Sequence, residues 1–263
     1  MFFNIGDLVT RKSYGNDIIF KIIDIRENTI YLKGINVRLL ADSDISDLTK
    51  VENNRVENDD EITNMLDDDI RLDRSEFFYL PGKVLHIDSD KEYLNRCLKL
   101  YKKLKIVAFG ILLDEDKIED NITEYLNNIN PDIVVITGHD AYLKNKRNEL
   151  SKEEYKNSNY FIKSVMKARK YEKSHEKLII IAGACQSNYE ELIKSGANFA
   201  SSPKRVNIHA LDPAIIASLI ALSDRNENID LLKIINKTKY KEEGIGGIIT
   251  TGAMYVGYPR WIY

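Results

Sequence analysis

Cysteine is scarce in this chain: Cys97 and Cys185 are the only two among 263 residues. Two thiols cannot build a disulfide framework or a cysteine-rich zinc centre, and four widely spaced histidines add no close ligand pair. No metal or other cofactor is therefore expected. Apolar runs of about 18 residues are also missing, so no membrane-spanning helix is expected. The opening Met1-Phe2-Phe3-Asn4-Ile5-Gly6 lacks the basic start and apolar core of a secretory signal, which leaves a cytosolic address as the expectation. A basic excess is absent as well. Lys and Arg total 38 against 41 Asp and Glu, a net charge of -3, which argues against nucleic acid as a general partner. What is present is 43% hydrophobic and 30% charged residues, the balance of a soluble globular protein long enough for one large domain, or a large and a small one.

Two stretches stand out. Ile133-Val134-Val135-Ile136-Thr137-Gly138-His139-Asp140 and Leu178-Ile179-Ile180-Ile181-Ala182-Gly183-Ala184-Cys185-Gln186 are each a β-branched apolar run that stops at small residues and then presents one reactive side chain. Such runs read as strands buried on both faces of a parallel sheet, with His139 and Cys185 just past the carboxyl ends. Open α/β sheets place their chemistry at that edge. An imidazole beside a thiol can take its proton and leave a thiolate that attacks acyl carbons. The pair therefore points to a cysteine hydrolase.

Three regions follow in chain order. Residues 1–52 carry short alternating strands at Asp7 to Thr10, Ile18 to Ile25, Thr29 to Leu32 and Val37 to Leu40, separated by turn residues, and suggest a small antiparallel β-barrel used for recruitment. Residues 53–73 shift to Asn, Asp and Glu and read as an acidic linker or short surface helix, or as a cover for a site that accepts basic substrates. Residues 74–263 alternate strand and helix. Strands are expected at Gly82 to Asp88, Ile106 to Leu113, the two stretches above, Ala197 to Ser201 and Gly247 to Thr250. Helices are expected at Lys91 to Lys103, Lys117 to Asn128, Asn159 to Tyr171, Asn188 to Ser195 and Pro213 to Leu222. Repeated βα units imply a parallel sheet with helices on both faces in the order 2-1-3-4-5, which brings Asp88 near His139.

Cys185 is the candidate nucleophile because it lies between a buried strand and a helix whose amino end favours a thiolate. Cys97, at helical spacing with Tyr93, Leu94 and Tyr101, reads as core. His139 is the candidate base, and the backbone N–H groups of Gly138 and Cys185 could bind the oxyanion. Asp140 could orient His139, although adjacent residues usually point apart, so an ordinary loop aspartate is the competing reading. Asp88, Asp90, Asp114 and Asp116 all follow strand ends. Asp88 first, and then Asp114, could line a pocket for a basic substrate side chain. His209 is a competing base in an amidotransferase-like order, but Gly183-Ala184-Cys185-Gln186-Ser187 lacks the final glycine of that elbow, and Asp212 stands three positions from His209. The glycines at 244, 246, 247 and 252 do not open a helix and so make no phosphate loop.

Thr137-Gly138-His139-Asp140 with Ala182-Gly183-Ala184-Cys185 resembles the caspase, legumain, gingipain and clostripain superfamily. The likeness implies a caspase-like α/β fold, although His-Asp replaces the more frequent His-Gly. Asn4-Ile5-Gly6-Asp7-Leu8-Val9-Thr10-Arg11-Lys12-Ser13-Tyr14-Gly15, Gly138-His139-Asp140-Ala141-Tyr142, Gly183-Ala184-Cys185-Gln186-Ser187-Asn188-Tyr189 and Val206-Asn207-Ile208-His209-Ala210-Leu211-Asp212-Pro213 are similar to the YabG family of sporulation-specific proteases. That resemblance implies a cysteine peptidase with Cys185 as nucleophile and His139 as base. Its protein partners would be spore coat and cortex-associated substrates, cut after arginine in the mother cell. Autoprocessing is also expected, at Ser201-Ser202-Pro203-Lys204-Arg205 or Lys144 to Arg147. A non-catalytic coat-assembly scaffold is the alternative of a different class.

Overall fold

The computed structural model describes residues 3–27, 29–51, 58–69, 72, 75–142 and 154–260. The chain divides into two units, Met1–Asn58 and Asp59–Tyr263.

The first unit is an antiparallel sheet of β1 (Leu8–Arg11), β2 (Phe20–Arg26), β3 (Thr29–Gly34), β4 (Leu40–Asp44) and β5 (Leu48–Lys50), ordered β4-β3-β2-β1-β5. Alternation puts Val9, Phe20, Ile22, Ile30, Leu32 and Leu48 on one buried face. Among the described residues β4 and β5 do not pair. The structure thus shows an open sheet where turn spacing suggests a closed barrel. The expected strand at Val37 to Leu40 also moves. Leu39 N–H donates to the Val37 carbonyl oxygen and Gly34 N–H to that of Leu39, which spends those residues on a tight turn and starts β4 at Leu40.

The second unit opens with α1 (Asp59–Asp69), inside the acid-rich stretch. It is tied down by the Arg96 guanidinium, which donates to both Asp59 carboxylate oxygens at 2.7 Å. Leu66 joins the core. Then follow β6 (Phe78–Leu80), β7 (Val84–Asp88), α2 (Lys91–Lys103), β8 (Ala108–Leu112), α3 (Glu115–Ile129), β9 (Ile133–Thr137), α4 (Ser158–Tyr171), β10 (Ile179–Ala182), α5 (Tyr189–Lys194), β11 (Phe199–Ser201), α6 (Asp212–Ala221), α7 (Leu231–Ile235), α8 (Lys241–Gly244), β12 (Ile245–Gly247) and β13 (Tyr255–Gly257). The main sheet runs β12-β11-β10-β9-β7-β8, with every neighbouring pair parallel except β11 with β12. Its first five strands take the expected 2-1-3-4-5 order.

Strand parity sorts the core into two layers. Val84, Ile133, Val135, Ile179, Ile181 and Phe199 face α2 and α6. Leu85, Ile87, Val134, Ile136, Ile180 and Ala182 face α3, α4 and α5. Helices therefore cover both faces, which is why the central strands are continuously apolar. Each fully buried Ile or Val contributes about 1.5–3 kcal/mol. The last strand lies at Ile245–Gly247, two residues earlier than expected, where it pairs antiparallel with β11 through Ser201 and Ile245. The short β6 and β13 pair with each other apart from the main sheet.

Candidate active site at the carboxyl edge of the sheet

Strand register decides which reactive groups share an edge. Asp88 of β7 pairs with Thr137 of β9, and Ile136 of β9 with Ala182 of β10. The strand order reverses between β7 and β9, so the switch-point crevice opens beside Gly138 and His139, with the Cys185 loop on the adjoining strand. Three contacts join the two loops. Thr137 Oγ1 donates to the Gly183 carbonyl oxygen at 3.0 Å, Ser187 Oγ donates to Asp140 Oδ2 at 2.9 Å, and Tyr142 N–H donates to Gln186 Oε1 at 3.2 Å.

The His139 ring is turned toward β7, α2 and α3. Its Nδ1 lies 3.4 Å from Ser89 Oγ and 3.8 Å from Glu115 Oε1, and its Nε2 lies 3.5 Å from Asp90 Oδ2. Tyr93 flanks the ring with centroids 5.9 Å apart. Glu115 Oε1 also accepts the Ser89 hydroxyl at 2.6 Å and the His139 backbone N–H at 2.8 Å. Burial opposes ionisation of Glu115, but the hydrogen bonds from His139 and Ser89 outweigh it and hold the carboxyl down at about 2. A Cβ on Gly138 would stand 2.5 Å from Glu115 Oε1 and 2.6 Å from Ser89 Oγ, so a side chain there would push the carboxylate and the hydroxyl back from the strand end. Neither Glu115 nor Ser89 stands out in the sequence, because an acid in the first turn of a helix and a serine in a loop are the ordinary occupants of such places.

Cys185 is fully buried. Ile208 N–H donates to its sulfur at 3.2 Å, and the sulfur lies 3.8 Å from the Ile208 carbonyl oxygen. The amino end of α5, expected to act on the thiol, begins only at Tyr189 and spans six residues, so the N–H beside the sulfur comes from the following loop instead. That loop is folded onto the one that carries Cys185. Gln186 N–H donates to the Ser202 hydroxyl at 2.9 Å, and Ser202 Oγ donates to the Val206 carbonyl oxygen at 2.6 Å. Gly183, Gln186, Ser202 and Arg205 have φ of +104, +57, +63 and +55 degrees. Left-handed backbone at non-glycine residues costs about 1–3 kcal/mol each and gathers at functional loops.

The other sequence candidates are placed as follows. Asp140 turns away from the His139 ring. Its carboxylate accepts from Ala141 N–H at 2.9 Å, Asn157 N–H at 2.7 Å, Ser187 Oγ at 2.9 Å, and Ser158 Oγ. Burial pushes this carboxyl up despite those donors. Asp88 is fully buried, accepts Asp90 N–H at 2.9 Å and lies 3.7 Å from His86 Nε2. Asp114 is exposed and pairs with Lys117. His209 Nδ1 accepts the Leu211 N–H at 3.2 Å, and Asp212 accepts the His209 backbone N–H at 2.9 Å without reaching its ring through that bond. In the segment read as a self-cleavage site, Ser201 and Ser202 are buried, and Arg205 is bound by Glu190 and Tyr155. Lys144 to Arg147 lies outside the described residues. Among those described, no group of three His, Cys, Asp or Glu is arranged to hold a metal, and no helix is long and apolar enough to cross a membrane.

Comparison with known proteins adds two findings. A family model described as YabG peptidase U57 matches residues 4–71 and 57–259. The sporulation-specific protease YabG of Bacillus subtilis (strain 168) is 42% identical over 291 aligned positions, which cover 98% of this chain and 99% of that relative.

Proposed function

This chain belongs to the YabG peptidase family, and from that premise we propose that it is a cysteine endopeptidase of sporulation in which Cys185 attacks and His139 carries the proton. The single observation that supports the assignment is the β9–β10 register, which sets the two strand ends one inter-strand step apart, about 4.8 Å. For a peptide carbonyl to be seated there, the loop over the buried Cys185 has to open and the buried His139 Nε2, 3.5 Å from Asp90 Oδ2, has to turn toward it.

In the first step the Cys185 thiolate forms a C–S bond to the carbonyl carbon and the C–N bond breaks. The departing nitrogen takes the proton held by His139. A water molecule then gives a proton back to His139 and its oxygen to the acyl carbon. The thioester C–S bond breaks, releasing the acid and restoring the thiolate–imidazolium pair. Ile208 N–H, 3.2 Å from the sulfur, favours the thiolate. Backbone N–H groups of Gly138 and Cys185 would receive the oxyanion. The non-catalytic scaffold and the amidotransferase lose their support, since the matched family is one of peptidases.

The finer reading is cleavage after arginine in spore coat and cortex-associated proteins within the mother cell, with self-cleavage of the chain. Its support in this chain is the acidic character of the edge, where Asp90 and Glu115 flank His139. The test is hydrolysis of fluorogenic peptidyl-arginine and peptidyl-alanine amides by the full chain and by its Cys185→Ala, His139→Ala and His209→Ala variants. Turnover of the arginine substrate, lost in the first two variants and kept in the third, is the expected result. Full activity in Cys185→Ala would overturn the assignment.

A further inference from the structure

We infer that Glu115, acting with Ser89, is the positioning residue of His139, a role the chain gives to neither Asp140 nor Asp90. The inference rests on His139 as the proton carrier and deepens that reading.

Glu115 Oε1 grips His139 twice. It accepts the residue's backbone N–H at 2.8 Å, which fixes the main chain at the turn out of β9. It also accepts the Ser89 hydroxyl proton at 2.6 Å, so the lone pairs of Ser89 Oγ are left to face His139 Nδ1 at 3.4 Å. The hydrogen-bond order is then Nδ1–H to Ser89 Oγ to Glu115 Oε1, and it selects the tautomer with the proton on Nδ1. Among the described residues the buried Nε2 makes no hydrogen bond, with Asp90 Oδ2 at 3.5 Å, and it is the nitrogen left to exchange a proton. A negative carboxylate at the remote end of this order also stabilises the imidazolium that forms during the reaction.

The rivals fail on geometry. Asp140 is surrounded by donors from Ala141, Asn157, Ser158 and Ser187. Asp90 caps α2, accepting from Glu92 and Tyr93 through Oδ1, and its other oxygen lies 3.5 Å from Nε2, on the reacting side of the ring. The groups facing His139 are therefore Asp90 from the loop after β7, Tyr93 from α2, Ser89, and Glu115 from α3. Gly138 completes the fit, because a side chain there would occupy the space of the carboxylate and the hydroxyl.

The test uses the full chain. In a Cys185→Ala background, the His139 ring resonance is followed by NMR from pH 4 to 9 with Glu115 intact and as Glu115→Gln, and assigned by its loss in His139→Gln. Removing one nearby negative charge should move the His139 titration midpoint to lower pH by about one unit. On a peptidyl-arginine amide, Glu115→Gln with Cys185 present should lower kcat about 30-fold with KM little changed. Its alkaline limb should move the same way as the ring. Ser89→Ala keeps the carboxylate and serves where Glu115→Gln fails to fold. It should lower kcat about fivefold, with a smaller shift in the same direction. An unmoved ring midpoint together with an unmoved alkaline limb overturns the role of Glu115. Cleavage that survives in Cys185→Ala or His139→Gln overturns the peptidase assignment instead, and the ring titration still decides the pairing of Glu115 with His139.

Discussion

Ser187 donates its hydroxyl to Asp140 across 2.9 Å, so the loop behind the thiol and the loop behind the imidazole share one buried carboxylate. The same hydroxyl oxygen accepts Ala184 N–H at 2.9 Å, immediately before Cys185. Asp140 also receives Asn157 N–H at the start of α4, while Asn157 Nδ2 donates to the His139 carbonyl oxygen at 2.8 Å. One acid thus sets the separation of the two strand ends. It touches neither reactive atom.

Replacing Asp140 separates charge from hydrogen bonding. Asp140→Asn keeps an oxygen for the Ala141 and Asn157 N–H groups but puts an NH2 donor where the Ser158 and Ser187 hydroxyls donate. Stability should therefore fall by about 1–2 kcal/mol. Asp140→Ala strands those donors in a buried site and should cost about 3 kcal/mol. Urea denaturation of both variants measures the difference, and equal losses would show that the carboxylate contributes only bulk.

Glu115 and Asp140 predict opposite pH dependence of stability. Glu115 is depressed from its ordinary 4.5 to about 2, so its contribution is complete above 4.5 and is lost as pH falls through about 2. Asp140 is raised above 3.8, so its contribution is complete below 3.8 and is lost as pH rises through its higher folded value. Unfolding free energy measured across acid pH should fall less steeply toward low pH in Glu115→Gln than in the parent. In Asp140→Asn the decline on the alkaline side of 3.8 should be smaller. Parallel curves for all three proteins would contradict the assignment of these shifts.

The sheet was legible because its central strands are buried on both faces, and the Ile and Val runs at β9 and β10 carry that burial in their composition. Short edges were not. β6 and β13 are three residues each and carry no period long enough to read, and β12 takes its place from pairing with β11 more than from its own Ile-Gly-Gly residues. The proposed pair, Cys185 and His139, was read from strand ends alone. Its supports were not, since Glu115, Ser89 and Ile208 lie 24, 50 and 23 positions from the residues they contact. Only the folded register reveals them.

Gly138→Ala tests whether the close approach at the strand end matters for chemistry. Its Cβ would press on Glu115 Oε1 and Ser89 Oγ at 2.5 and 2.6 Å, and either the carboxylate or the turn must give way. Overpacking of this kind should cost about 1–3 kcal/mol of stability. Displacing the His139 support by about 1 Å should lower kcat about a hundredfold. Thermal melts beside kinetics on a peptidyl-arginine amide separate the two effects, and an active, destabilised variant would place Gly138 outside the machinery.

Access to Cys185 is the remaining question that the geometry answers in advance. The sulfur is buried against Ile208, and the loop that carries Ile208 is held by Arg205, whose Nη2 donates to Glu190 and whose Nε donates to the Tyr155 hydroxyl. Arg205 sits at φ +55, so the backbone there is strained and relaxes once the side chain lets go. A partly buried charge-assisted contact of this kind is worth about 1.5 kcal/mol, which corresponds to roughly a tenfold change in the population of an open loop. Iodoacetamide should therefore alkylate Cys185 about tenfold faster in Arg205→Ala than in the parent, followed by mass spectrometry of the labelled peptide. Cys97, on the buried face of α2 and lying 3.6 Å from the Ala210 carbonyl oxygen, should label at the same slow rate in both. If Cys185 reacts equally fast with and without Arg205, the loop does not shield the sulfur, and a peptide can reach it in the resting protein.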